Sequence, residues 1–269
     1  MTEENKDTRA AIKNYWEDPS TRSIIDKNLH TIEIDAVRRH LVASDRVADI
    51  GCGEGVATIE YARMVRECVA FERSNHLRGL AKKRLAETGL SNVTVLPGDL
   101  LKMNKGAGDF DAVVTQRTLI NLASWEEQQE AILNIRSLLK PSGRFIMIEN
   151  TVDATDAMND VRKSLGLSPI KTHWHNLYFD YDQMISFMKK HFEVVEESDF
   201  GLYYFLTRIY VSMFASFTGF GVNAKKNQIF DTSDEAARKL FEAYGDRWKL
   251  NGIRAFGPIQ CFVFLRPEE

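Results

Sequence analysis

The residues best suited to chemistry sit close together in Val47-Ala-Asp-Ile-Gly-Cys-Gly-Glu-Gly55. A short apolar run meets an acid, Asp49, and glycines follow at alternate positions, Gly51, Gly53 and Gly55, with Cys52 and Glu54 between them. A glycine turn after a strand brings backbone close to a nucleotide-like ligand, and the helix behind it offers unpaired N–H groups and partial positive charge. Dinucleotide sites use such a loop for a diphosphate, usually as G-x-G-x-x-G. Here the spacing is G-x-G-x-G, and carboxylates at Asp49 and Glu54 would repel a diphosphate unless a cation intervened. They suit a ligand with an ammonium, whose own carboxylate can take the helix N-terminus. S-adenosylmethionine has that pair of groups and a sulfonium besides, so the loop chemistry favours it over NAD.

Further candidates follow in chain order. Glu72, with Arg73 beside it, ends a second apolar run, where a carboxylate can accept both ribose hydroxyl protons. NAD-binding folds share that acid, so Glu72 alone does not discriminate. Asp99 in Leu-Pro-Gly-Asp-Leu can accept from an adenine amine while Leu100 packs on the ring; the bland alternative is an Asx turn after Pro97-Gly98. Likewise Asp49 alone could merely cap a helix, and Glu72 could be a solvated strand end. Glu149 either meets substrate, orients a histidine or pairs structurally, and Arg117 either binds an anionic acceptor group or pairs with Glu149. His173-Trp174-His175-Asn176 has three readings. A histidine there could take a hydroxyl proton, since imidazole titrates near neutrality. The pair could hold a metal with Asp153 or Asp156, although no i, i+4 ligand pair supports that, or it could be a surface loop. Tyr15-Trp16 reads as a lid or a hydrophobic anchor. Tyr203, Tyr204 and Arg208 could face a substrate cavity.

The elements that must position these residues alternate. RVADI, CVAFE, NVTVL, FDAVVT and GRFIMIE read as strands, separated by amphipathic stretches. Ser74 opens one helix and Gly89 closes it; Ser124 with Glu127 predicts a capping box. VATIEYARMVRE, ATDAMNDVRKSLG and YDQMISFMKKH read as further helices, FEVVEE and IQCFVFL as later strands. Strands alternating with helices imply a doubly wound parallel sheet. The expected organisation is a single domain over 1–269: a helical arm at 1–45, a cofactor half at 46–150, a substrate loop at 151–179, and a C-terminal half at 180–269. That last part carries a helical insertion at 199–257, with helices at 202–217 and 233–249. The stripe Leu202, Phe205, Leu206, Ile209, Met213 and Phe217 reads as core or as the face of a homodimer.

Bulk numbers narrow the class. A net charge of −3 and a pI near 6.1 give no global basic field, so nucleic acid is not the expected partner, although Arg78, Lys82, Lys83 and Arg84 cluster on one helix. Three scattered cysteines and a polar N-terminus lacking the apolar run of a signal peptide predict a cytoplasmic protein. The apolar segment 200–221 carries Arg208 near its middle, so membrane insertion is not expected.

Asp49, the three glycines, Glu72 and Asp99, with FDAVVTQRTL and LLKPSGRFIMIE after them, resemble the class I S-adenosylmethionine-dependent methyltransferase family. The resemblance is good over 41–150 and looser over 178–198 and 258–266. It implies a Rossmann-like sheet of seven strands, the last antiparallel and inserted beside the fifth. It also implies that the Asp49 loop holds the methionine part of the cofactor, Glu72 the ribose and Asp99 the adenine. Gln116 and Arg117 would border the sulfonium and the substrate. Relatives that methylate nucleic-acid or protein amines often carry a proline-rich tetrapeptide after the fourth strand, where this chain has Thr115-Gln116-Arg117-Thr118. The expectation is therefore methylation of a small molecule, on a hydroxyl of a sugar or natural product, without a metal. Alternatives are N-methylation of a small amine, RNA or protein, and a non-catalytic cofactor-binding subunit.

Overall fold

The computed structural model describes residues 3–103, 109–218 and 228–268. Its strands are β1 (Arg46–Ile50), β2 (Glu67–Glu72), β3 (Val93–Pro97), β4 (Phe110–Gln116), β5 (Leu139–Asn150), β6 (Glu193–Asp199) and β7 (Ile259–Leu265). They form one sheet in the order β3-β2-β1-β4-β5-β7-β6. All neighbours pair in parallel except β7, which runs antiparallel to both β5 and β6. The sheet is doubly wound, as expected, and its order turns back between β1 and β4. A crevice opens at such a point because the connections leave toward opposite flanks.

The helices, in chain order, are α1 (Glu3–Glu17), α2 (Lys27–Arg38), α3 (Val56–Ala62), α4 (Asn75–Ala86), α5 (Trp125–Leu138), α6 (Val152–Ser164), α7 (Tyr181–Met188), α8 (Gly201–Tyr204), α9 (Val211–Thr218) and α10 (Gln228–Tyr244). Side chains alternate along each strand, so both sheet faces are apolar and both are covered. Ala112 and Val114 of β4, Ile146 and Ile148 of β5 and Cys261 and Val263 of β7 pack with α2, α3 and α10. Val113, Phe145, Met147, Phe262 and Phe264 pack with α5 and α7 on the other face. Across the antiparallel pair, Phe145 lies opposite Phe264 and Met147 opposite Phe262.

Local chemistry sets the helix starts. Ser74, Ser124 and Asp180 each accept an N–H three residues on, from Leu77, Glu127 and Gln183. The return arm of the expected capping box lands one residue early: Glu127 accepts from the N–H of Ala123, at 3.0 Å. Helix α3 is shorter than VATIEYARMVRE suggests, because the N–H groups of Arg66 and Glu67 both turn to the Asp45 carbonyl and begin β2.

The insertion before β7 is helical, with a correction. Between α8 and α9 the chain widens into a π-helical segment, Phe205–Tyr210, and the Thr207 hydroxyl donates back to the Tyr203 carbonyl at 2.8 Å. The widening rotates the buried face. Tyr203, Tyr204, Thr207 and Ile209 are buried, whereas Leu202, Phe205 and Leu206 of the expected stripe are only half-buried against the core. The side chain of Phe217 and residues 219–227 lie outside the described residues. No helix among the described residues is long and apolar enough to cross a membrane.

Phe262 is fully buried in the strand that joins β5 to β6. Phe262→Ala should cost about 3–5 kcal/mol in denaturant unfolding. Val195→Ala on β6, whose side chain is 58% exposed, should stay within about 0.5 kcal/mol.

Candidate active site

At the carboxyl end of β1 the chain turns through Gly51, Gly53 and Gly55, all at positive φ. Gly51 is required twice over. Its φ is +75°, and a Cβ there would sit 2.3 Å from the Thr118 hydroxyl, which itself donates to the Ile50 carbonyl at 3.0 Å. The loop is tied to β2 by the N–H groups of Gly51 and Cys52, both donated to the Phe71 carbonyl. Gly55 plays a different part from the one expected. It is the N-cap of α3, its missing Cβ facing Ala81 of α4, and it does not line the cavity.

That cavity, about 370 Å³, lies over the turning point of the sheet. Asp49 and Glu72 both line it and both are buried. Asp49 accepts from the Thr58 hydroxyl at 2.6 Å; burial, reinforced by the neighbouring charge of Glu72, pushes its pKa up to about 6. Glu72 accepts the N–H groups of Gly53 (2.9 Å) and Ser74 (2.7 Å), and burial raises it as well. Neither forms an ion pair among the described residues. Two desolvated carboxylates facing one cavity call for a cation and for hydroxyl donors. The ammonium and ribose of S-adenosylmethionine supply both, so the residues fit that group. Glu54, expected to share this task, also lines the cavity, but it is paired with Arg84 at 3.3 Å and accepts from Ser23 at 3.4 Å. Glu72 is the second acid of the cradle. Cys52, Gly53, Arg73, Asp99, Leu100 and Gln116 line the same cavity. Asp99 also forms the Asx turn, accepting from the Leu101 N–H at 3.2 Å.

Beyond the cofactor half, Arg117 lines the cavity from a left-handed backbone, φ +53°. Glu149 holds that turn. Its carboxylate is fully buried and accepts the N–H groups of Thr118 (2.9 Å), Leu119 (2.8 Å) and Ile120 (3.3 Å); burial pushes it up to about 7 against those bonds. Glu149 does not line the cavity, and the three N–H groups it accepts match the structural alternative among its expected parts. Arg117 pairs instead with Glu33 of α2, at 3.3 Å.

The loop 173–176 and the N-terminal arm close the far side. His173, His175 and Asn176 line the cavity. Trp174 does not, because it points outward and is 63% exposed. Tyr15 stacks on His175 with ring centroids 4.3 Å apart, and His173 stacks on the same ring at 5.5 Å. Trp16 donates from Nε1 to Asn121 at 3.1 Å, and Glu17 accepts the Asn75 and His76 N–H groups at the start of α4. The arm is thus fastened to the cofactor half. Arg208 lines the cavity and pairs with Asp26. Tyr203 and Tyr204 do not line it: both are buried in the core, and the Tyr203 hydroxyl donates to Asp26 at 2.9 Å. Asp153 is paired with Arg254, and no group of three His, Cys, Asp or Glu among the described residues is placed to hold a metal ion.

Sequence reasoning missed His30 and Glu33. Their signal was present as a histidine and a glutamate at i, i+3 on the apolar side of an amphipathic helix. Both are buried, and His30 lines the cavity.

Over residues 47–143 the chain matches the family described as methyltransferase domain. It is similar to the protein-L-isoaspartate O-methyltransferase of Rhodopseudomonas palustris (strain BisB5), 36% identical over 83 residues, or 31% of this chain and 38% of that protein. It is also similar to the probable cobalt-precorrin-6B C(15)-methyltransferase (decarboxylating) of Methanothermobacter thermautotrophicus, 31% identical over 44% of this chain and 61% of that protein. The chain therefore spans less than two thirds of either relative's length. The fold of N-methyltransferase NodS from Bradyrhizobium japonicum WM9, solved with S-adenosyl-L-homocysteine, covers 97% of this chain and 99% of its own at a TM-score of 0.56 and 14% identity. The domain match covers the glycine loop and both acids of the cradle, so residues 47–143 are a methyltransferase domain, and the chain has the fold of class I S-adenosylmethionine-dependent methyltransferases.

Asp49 must be ionised to meet an ammonium, so affinity for S-adenosylhomocysteine should rise with pH between about 5 and 7 and fall away below the Asp49 midpoint near 6. Asp49→Asn should weaken binding about 10- to 100-fold, the worth of one charged hydrogen bond, and flatten that pH slope. Isothermal calorimetry across the pH range reads both effects.

Proposed function

We propose that this chain transfers a methyl group from S-adenosylmethionine to a hydroxyl of a small molecule. The observation that carries this is the number of elements that converge on one cavity. The arm residues Tyr15 and Trp16, the loop residues His173 and His175, and Arg208 of the insertion all line it with the cofactor-side acids. A concave pocket walled by several elements suits a small acceptor better than a polymer. Its acceptor half is lined by Arg22, Arg117, Arg208 and two stacked histidines, which suits a polar acceptor with an anionic or hydrogen-bonding group.

The cofactor, when bound, supplies the electrophilic methyl carbon. The protein's share is placement, because an in-line displacement gains most of its rate from alignment and from a dry site. Asp49 and Glu72 fix the two ends of the amino-acid and ribose portions. Gln116 and Arg117 set the border between cofactor and acceptor. His173, His175 and Asn176 contact the acceptor, while Tyr15 and Trp16 exclude water above it.

The relatives' names point to other acceptors, protein L-isoaspartate among them, and one experiment sorts them. The purified chain is incubated with methyl-labelled cofactor and, separately, with small-molecule extract, tRNA and cell protein. Label is expected in the small-molecule fraction, in a product stable to mild base as an ether is. Label confined to protein or tRNA would overturn the proposal.

A further inference from the structure

We propose that Glu149 is a positioning residue for the acceptor side of the site. By holding the turn at 117–121 it sets Arg117, the arm's Trp16 and the loop 173–177 relative to one another; this rests on reading the cavity as the place where an acceptor meets the cofactor. Glu149 stands near the end of β5 with its carboxylate fully buried, yet it does not line the cavity. A carboxylate withdrawn from water is costly unless hydrogen bonds hold it. Here they come from the N–H groups of three successive residues, Thr118 (2.9 Å), Leu119 (2.8 Å) and Ile120 (3.3 Å). Consecutive amides turned to one side form a nest for an anion, and Glu149 is the anion that fills it.

The turn is one the chain resists by itself. The Arg117 N–H still donates to the Ile148 carbonyl at 2.7 Å, and the backbone then swings to φ +53°. A residue with a Cβ enters that left-handed region at a cost of about 1–3 kcal/mol, which the surrounding structure must offset. With their N–H groups given to Glu149, the turn residues offer their carbonyls to other elements. Asn121 donates from Nδ2 to the Arg117 carbonyl at 2.7 Å, and its Oδ1 accepts the Trp16 indole N–H at 3.1 Å. The Ile120 carbonyl accepts the Leu177 N–H at 2.7 Å. Gln128, itself buried, donates from Nε2 to the carbonyls of Leu119 (3.3 Å) and Leu177 (2.9 Å).

The arm and the loop are therefore both fastened to the turn, and α2 joins it through the Arg117–Glu33 pair. Those elements bring Tyr15, Trp16, His30, His173 and His175 to the cavity beside Arg117. The cofactor cradle is held separately, Asp49 by the Thr58 hydroxyl and Glu72 by the N–H groups of Gly53 and Ser74. Removing the charge of Glu149 should thus disturb the acceptor side and spare the cofactor side. Glutamine keeps the shape but has a single acceptor oxygen, and its NH₂ would meet N–H groups that need an acceptor.

Indole N–H signals test this without an acceptor. Protein labelled with ¹⁵N-tryptophan is saturated with S-adenosylhomocysteine, and its four tryptophans are assigned by single Trp→Phe variants. Trp16 reports on the arm, Trp174 on the loop, and Trp248, packed on Phe205 and Phe256, on the rest of the fold. Glu149→Gln should shift the Trp16 and Trp174 signals and leave Trp248 in place. Either of the first two staying unmoved, or Trp248 moving with them, would overturn the proposal. The calorimetric Kd for S-adenosylhomocysteine should stay within about 3-fold, because the cradle's bonds are independent of the turn, and a larger loss counts against it. With the acceptor fraction found by labelling, the transfer rate at saturating cofactor should fall about 10- to 100-fold from misplacement of the acceptor; a rate within about 3-fold of wild type refutes the positioning role. Should Glu149→Gln not fold, Asn121→Ala at a half-buried side chain cuts the link to the arm alone: Trp16 should move and Trp174 stay, and any other pattern is evidence against the turn as the junction. If no fraction gains label, the transfer reading fails while the indole signals still decide this proposal.

Discussion

Asp49 and Glu72 are two carboxylates withdrawn from water at the head of a sheet, with hydrogen bonds but no ion pair among the described residues. That arrangement opposes folding, since burial raises both pKa values and the Glu72 charge raises Asp49 further. The surrounding structure is shaped by holding them there. The glycine turn gives Glu72 an N–H from Gly53, α3 brings the Thr58 hydroxyl to Asp49, and α4 starts with the Ser74 N–H on Glu72. A cation entering the cavity relieves this unfavourable charge, so ligand binding and local stability are linked at a single place.

Much of this was visible in the sequence, and the part that was not has a physical pattern. Strand and helix starts follow short-range rules, so Ser74 and Ser124 are legible as caps directly, and the antiparallel seventh strand came with the resemblance. The acid of the cradle was half right. Glu54 is adjacent to the loop in sequence, but Arg84 from α4 captures it, and the needed charge comes from Glu72 on the neighbouring strand. Likewise Glu149 was assigned chemistry because it ends a strand at the cleft, while three main-chain donors have already claimed it.

Residues on the insertion were harder. The stripe over 202–217 assumed ordinary α-helical spacing, and a π-helical segment turns Tyr203 and Tyr204 inward to the core while delivering Arg208 to the cavity. A single-residue change of helical phase leaves no periodic signature. His30 and Glu33 were missed for another reason. They lie on an N-terminal helix far from any recognisable motif, and only the packing of α2 beneath β4 shows that their i, i+3 spacing is directed at Gln116 and Arg117.

The Glu149 clasp has a consequence for how such a protein can change. It grips the peptide N–H groups of residues 118–120, and with them the left-handed turn at Arg117, without touching the Arg117 side chain by any hydrogen bond. The bracket is made of main chain, so the turn outlasts a change of side chain. The side chain itself is held to one type from elsewhere, because Arg117 neutralises the buried Glu33 and its loss would strand that carboxylate away from water.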